Sequence, residues 1–120
     1  MPRQSIFDMK LNKVYPLLIQ KAERKGRTRQ EVDEVTCWLL GYDEEGLQKQ
    51  LNDDVTYGAF FDDAPHFNPA ARRITGTICG IRVEEIEDEA MWKVRCLDKL
   101  VDELAKGKPM SRILRSGDEA

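Results

Sequence analysis

Between residues 89 and 105 apolar side chains recur at spacings of four, three, four and three, through Ala90, Val94, Leu97, Val101 and Leu104. That period places all five on one stripe of an α-helix and would scatter them over both faces of a strand. A stripe of this kind is stable only when another apolar surface covers it. The rest of the chain must therefore fold against residues 89–105. With 120 residues the chain is long enough for one hydrophobic core. Within that frame Leu97→Ala is expected to be costly, and Lys99→Ala to change little.

The punctuation elsewhere is helical, and alternating β-branched runs are nearly absent. Leu11, Tyr15, Leu18 and Ala22 form one face of a first helix, with Pro16 near its first turn and Gly26 as its stop. Thr28 and Glu31 make a capping box, which predicts a second helix with Val32, Val35, Cys37 or Trp38, and Leu39 inward and Gly41 at its end. Asp43 caps a short helix through Leu51, and Thr56 to Ala64 forms another, ended by Pro65. Asn68 followed by Pro69 predicts a helix running toward Cys79, with Ile74 and Ile78 facing the core and Gly80 closing it at positive φ. Asp88 caps the last long helix, Gly107 and Pro109 end it, and "MSRILR" adds a final turn.

The expected fold class is all-α: a single compact bundle of about five to six short helices with a long amphipathic C-terminal helix. Residues 1–120 form one domain, with 1–9 as a flexible N-terminal arm and 116–120 as a flexible tail.

Charge and cysteine usage narrow the function classes. Charged residues make up 34% of the chain, above the usual share of about 25%, which implies a solvated, heavily charged surface. Residues 1–30 hold eight bases and two acids, whereas residues 31–63 hold one base and ten acids. Helices of opposite charge pair at their rims, so this segregation needs no external polyanion. No apolar run approaches the roughly 18 residues of a membrane span, and no secretory signal opens the chain, so no membrane and a cytoplasmic location are expected. Cys37, Cys79 and Cys96 are widely separated and sit inside apolar patterns, as small buried thiols do in a reducing compartment.

Three places could carry chemistry. Gly76 inside a helix implies that something approaches its backbone, and Arg72 one turn earlier could hold an anion there, with Cys79 and the lone histidine, His66, nearby. The competing explanation is a second helix packed on the small residue. Lys21, Arg24, Lys25, Arg27 and Arg29 form a basic segment that could meet phosphates, but the helix after it opens on Glu31, Asp33 and Glu34 and would repel a groove. The run Glu84, Glu85, Glu87, Asp88 and Glu89 lacks the order of a calcium loop and reads as a solvated connector. No metal and no cofactor are expected, because one histidine without paired cysteines leaves too few ligands of ordinary type.

The motifs "VYPLLIQKAERKGRTRQEVDEV", "WLLGY", "ITGTICGIRVEEIED" and "LDKLVDELAKGKPMSRILR" resemble the bacterial family named domain of unknown function 2200, from about Lys10 to Arg115. Leu40 stands where similar sequences often have threonine, and Glu89-Ala90 where proline is common. The resemblance brings no activity, substrate or cofactor with it, so it implies no catalytic residue. The chain therefore reads as an interaction module whose partner is a protein, self or other. Self-association is expected if Trp92, Cys96 and Leu100 widen the last helix's stripe into a second face. A small enzyme or anion binder at Arg72, Gly76, Cys79 and His66 is the alternative. Weak nucleic-acid binding through residues 21–29 is the third and least favoured reading.

Overall fold

The computed structural model describes residues 6–78 and 80–114. Its helices are α1 (Leu11–Glu23), α2 (Arg29–Leu40), α3 (Glu44–Asn52), α4 (Tyr57–Asp62), α5 (Glu89–Ala105) and α6 (Met110–Leu114). Between α4 and α5 the chain makes a 3-10 turn over Pro69–Arg73 and then a hairpin of β1 (Thr77–Ile78) and β2 (Ile81–Arg82). A second 3-10 turn over Val83–Glu85 follows. The fold is thus mostly helical with a small two-stranded antiparallel sheet, and not all-α.

Helix α5 lies at the centre. It packs on α1, α2, α4, α6 and the hairpin, and Val94, Leu97, Val101 and Leu104 are buried along it. Ala90, the first member of the predicted seam, is exposed. Trp92, Cys96 and Leu100 are buried in the same core cluster. The wider stripe is therefore used inside the molecule, because neighbours surround α5 on several sides. Trp92, Cys96 and Leu100 do not form a second, exposed apolar face for another copy.

The helix termini follow the sequence signals closely. Thr28 and Glu31 form the reciprocal capping box of α2, and Asp43 and Thr56 accept the Gly46 and Ala59 amides at the starts of α3 and α4. At the far end of α2, Gly41 has φ +86° and donates its N–H to the Cys37 carbonyl at 2.8 Å. The three remaining terminal carbonyls are met by one strap of chain. His66 N–H reaches Leu40 O at 3.2 Å, Asn68 N–H reaches Leu39 O at 2.8 Å, and Asn68 Nδ2 reaches Trp38 O at 3.2 Å. The last turn of a helix leaves four carbonyls without helical partners, and here all four are satisfied.

Some local expectations are revised. Pro16 lies in the second turn of α1, because Lys10 is held extended by a bridge to Thr56 and the helix starts only at Leu11. The donor lost to Pro16 is owed to Asn12, an exposed residue. The inward face of α2 is Val32, Asp33, Val35, Thr36, Leu39 and Leu40, with Cys37 and Trp38 only half-buried. Asp33 and Thr36 turn inward because the buried Tyr15 hydroxyl donates to Asp33 Oδ1 at 2.6 Å and lies 3.1 Å from Thr36 Oγ1. A count of apolar residues alone does not see a polar contact of this kind. In the segment read as an N-terminal arm, Ile6–Asp8 form a 3-10 turn, and Ile6, Phe7 and Met9 pack against the core. Residues 116–120 lie outside the described residues.

The predicted helix from Pro69 toward Cys79 stops at Arg73. Ile74 and Ile78 are buried as expected, but as parts of an extended segment and a strand. A spacing of four fits one face of a helix and equally one face of a strand, since four is also an even number. Gly80 does have positive φ, +80°, but it belongs to the two-residue connection between β1 and β2.

Candidate functional site

The residues singled out around Gly76 have separate surroundings. Arg72 lays its guanidinium over the Trp92 ring, 3.9 Å from the centroid, and Phe67 tilts against the same ring at 5.6 Å. That is a cation–π stack, which fixes the arginine's orientation and covers the tryptophan. Gly76 has φ +111°, and a Cβ there would meet Lys99 Cε at 3.0 Å and Nζ at 3.1 Å. The close neighbour inferred from the sequence is therefore a lysine side chain rather than a helix backbone. Lys99 also donates to the Thr77 carbonyl at 3.1 Å, so it has a packing role that its charge did not suggest. His66 is exposed, and its backbone rather than its imidazole holds the strap to α2. Cys79 lies outside the described residues.

The hairpin is braced at its base. The Glu84 carboxylate accepts the Gly76 N–H at 2.9 Å, and Val83 N–H bonds Gly76 O at 2.9 Å. The Gly76 amide, followed by Glu84's own amide, holds the Glu84 carboxyl below the usual range.

The basic segment divides into structural and free charges. Arg27 donates Nε and Nη2 to the two oxygens of Glu31 at 3.1 and 3.0 Å, and Nη1 to the carbonyls of Leu104 and Lys108 at 3.3 and 3.0 Å. One guanidinium thus ties the start of α2 to the end of α5, a task suited to its planar fork. Lys21 pairs with Asp102 at 3.3 Å and Arg29 with Asp33 at 3.6 Å. Arg24 and Lys25 are exposed, without an ion pair among the described residues. Three of the five bases face carboxylates, which weakens the segment as a phosphate surface.

The Arg27 clasp makes a measurable prediction. The bidentate bond from Arg27, helped by the Thr28 amide, holds the Glu31 carboxyl below the usual carboxylate range. A depressed carboxylate stabilises the fold above its unfolded pKa, and that contribution is lost as the pH falls through the folded value. Arg27→Ala is expected to cost about 1.5–3 kcal/mol at neutral pH, the range for bonds to charged groups, and less in acid where Glu31 is protonated. Carbon-detected NMR titration should show the Glu31 pKa rising in the variant. An unmoved Glu31 titration would mean that the clasp does not form in solution.

Between α1 and α5 lies a groove of about 760 Å³. Leu17 and Ala105 contribute apolar surface, and Lys21, Arg24, Lys25 and Lys106 are its cations. Leu17 is 57% exposed. One carboxylate, Asp102, lies among the bases, 3.3 Å from Lys21 and 3.1 Å from Lys106. Burial pushes its carboxyl up, but the bonds from Lys106 and Lys21 outweigh that and hold it below the usual range. The groove keeps an excess of positive charge around an apolar floor. The sequence holds part of the signal for it: Leu17 and Lys21 stand at i and i+4 on the flank of α1 beside the Leu11, Tyr15 and Leu18 stripe, and Arg24 and Lys25 follow just past the helix end.

Among the described residues no group of three or more histidine, cysteine, aspartate or glutamate side chains is arranged to hold a metal, and no helix is long and apolar enough to cross a membrane. The chain is similar to the protein described as "Crystal structure of uncharacterized protein SP1917", with 46% sequence identity and a TM-score of 0.91, covering 99% of this chain and 98% of that one. No curated protein matches it. Residues 5–115 match the family described as "Uncharacterized protein conserved in bacteria (DUF2200)". With that match spanning nearly the whole chain, the protein belongs to the DUF2200 family of bacteria.

Proposed function

We propose that this protein is a small cytoplasmic interaction module that docks an acidic protein segment in the groove between α1 and α5. The observation that carries the reading is Leu17, a large apolar side chain 57% exposed and ringed by Lys21, Arg24, Lys25 and Lys106. An isolated exposed leucine needs no explanation, but one set in a concave basic rim offers an apolar anchor and electrostatic steering together. A protein segment with carboxylates around one apolar side chain supplies both complements. A nucleic acid supplies only the charge, and Arg27 and Arg29, which lie outside the groove, are already paired with Glu31 and Asp33. The alternative site at Arg72, Gly76, Cys79 and His66 has less support, because Trp92 occupies the guanidinium face and Lys99 the face of Gly76.

Titration of the labelled full chain with a synthetic peptide alternating glutamate and leucine, at low ionic strength, tests the proposal. Amide shifts should concentrate at Leu17, Lys21, Arg24, Lys25 and Lys106, and Leu17→Glu should abolish them. Shifts scattered over the surface, or the same response to a single-stranded oligonucleotide, would overturn it.

A further inference from the structure

Two large hydrophobic side chains stand exposed among the described residues, Leu17 at 57% and Ile81 at 46%. Their surroundings are opposite in charge. Leu17 lies in the basic groove, whereas Ile81 opens β2 and begins a stretch to Glu89 with five acids and one base. Building on the docking reading above, we infer that the acidic segment entering the groove belongs to a second copy of this chain, which sets Ile81 of its hairpin against Leu17.

Three features support this occupant. The exposed Ile81 and the acids after it match an apolar floor and a basic rim, so contact removes both exposed side chains from water while opposite charges meet. The base of the hairpin is already held by the Gly76, Glu84 and Val83 bonds and by Lys99, so little ordering entropy is lost there on docking. Lys99 also links the two halves in space: its Nζ reaches Thr77 O at 3.1 Å and stands 4.0 Å from Asp102 of the groove. Hairpin and groove therefore share one edge of α5, and two copies related by a two-fold axis can insert into each other. Such a pairing closes as a dimer rather than propagating as a filament. It does not use the buried stripe of α5.

Sedimentation equilibrium of the full chain at low salt should give a mass twice 13.8 kDa, falling toward the monomer as salt is raised. Leu17→Glu and Ile81→Lys should each give a folded monomer. An equimolar mixture of the two variants should dimerise again, because one contact of the pair is native and the other sets the introduced lysine of one variant against the introduced glutamate of the other. Rescue by mixing cannot come from variants that are merely unstable. A wild-type monomer at high micromolar concentration, or a dimer indifferent to both substitutions, overturns the inference. In either case the glutamate–leucine peptide decides separately whether the groove still docks acidic segments from another protein.

Discussion

Leu97→Ala is expected to lower the unfolding free energy by about 2–5 kcal/mol, the range for deleting a fully buried leucine side chain. Leu97 is completely buried, near the middle of a helix that meets α1, α2 and α4. Leu97 belongs to a core cluster drawn from several elements, and a close-packed interior refills such a void only in part. Ala90→Ser, on the same seam by spacing, should change stability by less than about 0.5 kcal/mol because Ala90 is exposed. Urea unfolding followed by tryptophan fluorescence measures both. Equal losses would show that the seam starts at Ala90, as the spacing alone suggests, and that the α5 N-terminus packs more deeply than its exposure indicates.

Gly41→Ala should be the second large effect, although it adds one methyl group to an exposed residue. Two penalties coincide there. The backbone sits at φ +86°, where a side chain costs about 1–3 kcal/mol. A Cβ would also lie 2.6 Å from the carbonyl oxygen and 2.7 Å from the nitrogen of His66. Neither atom can yield cheaply, because the strap containing them satisfies the last carbonyls of α2. Gly26 provides the control, with φ +84° and nothing within 4 Å of its Cβ position. Gly26→Ala should lose the backbone contribution only, and Gly41→Ala about 1–3 kcal/mol more, the usual cost of overpacking. Thermal unfolding of the pair separates the two contributions; similar losses would mean that the strap swings away freely.

The candidate site was only partly legible in the sequence. The five bases of residues 21–29 stood out, but their division did not. Arg27 and Arg29 serve local carboxylates and helix ends, while Arg24 and Lys25 join Lys106 from the far end of the chain. Leu17 drew no notice because a lone exposed leucine is ordinary until a second helix turns its surroundings into a groove. Gly76 was rightly read as a place of close approach, yet Lys99 looked like a free surface charge. Its interaction with the Thr77 carbonyl joins residues 22 positions apart and leaves no local signature.

What the sequence by itself determined is local: where helices begin and end, and which face of each is apolar. The capping box at Thr28 and the cap at Asp43 each follow from interactions spanning three residues, which a linear reading resolves, whereas Asp88 stands at the start of α5 without a side-chain cap bond. Only the tertiary structure decided the rest. It chose strand over helix at Ile78, because a spacing of four satisfies both periods. It also turned Asp33 and Thr36 inward toward Tyr15, drew the His66 strap across α2, and set the far end of α5 beside Leu17. Each of these outcomes depends on which distant groups arrive within hydrogen-bond or van der Waals reach, and sequence spacing carries no record of that distance.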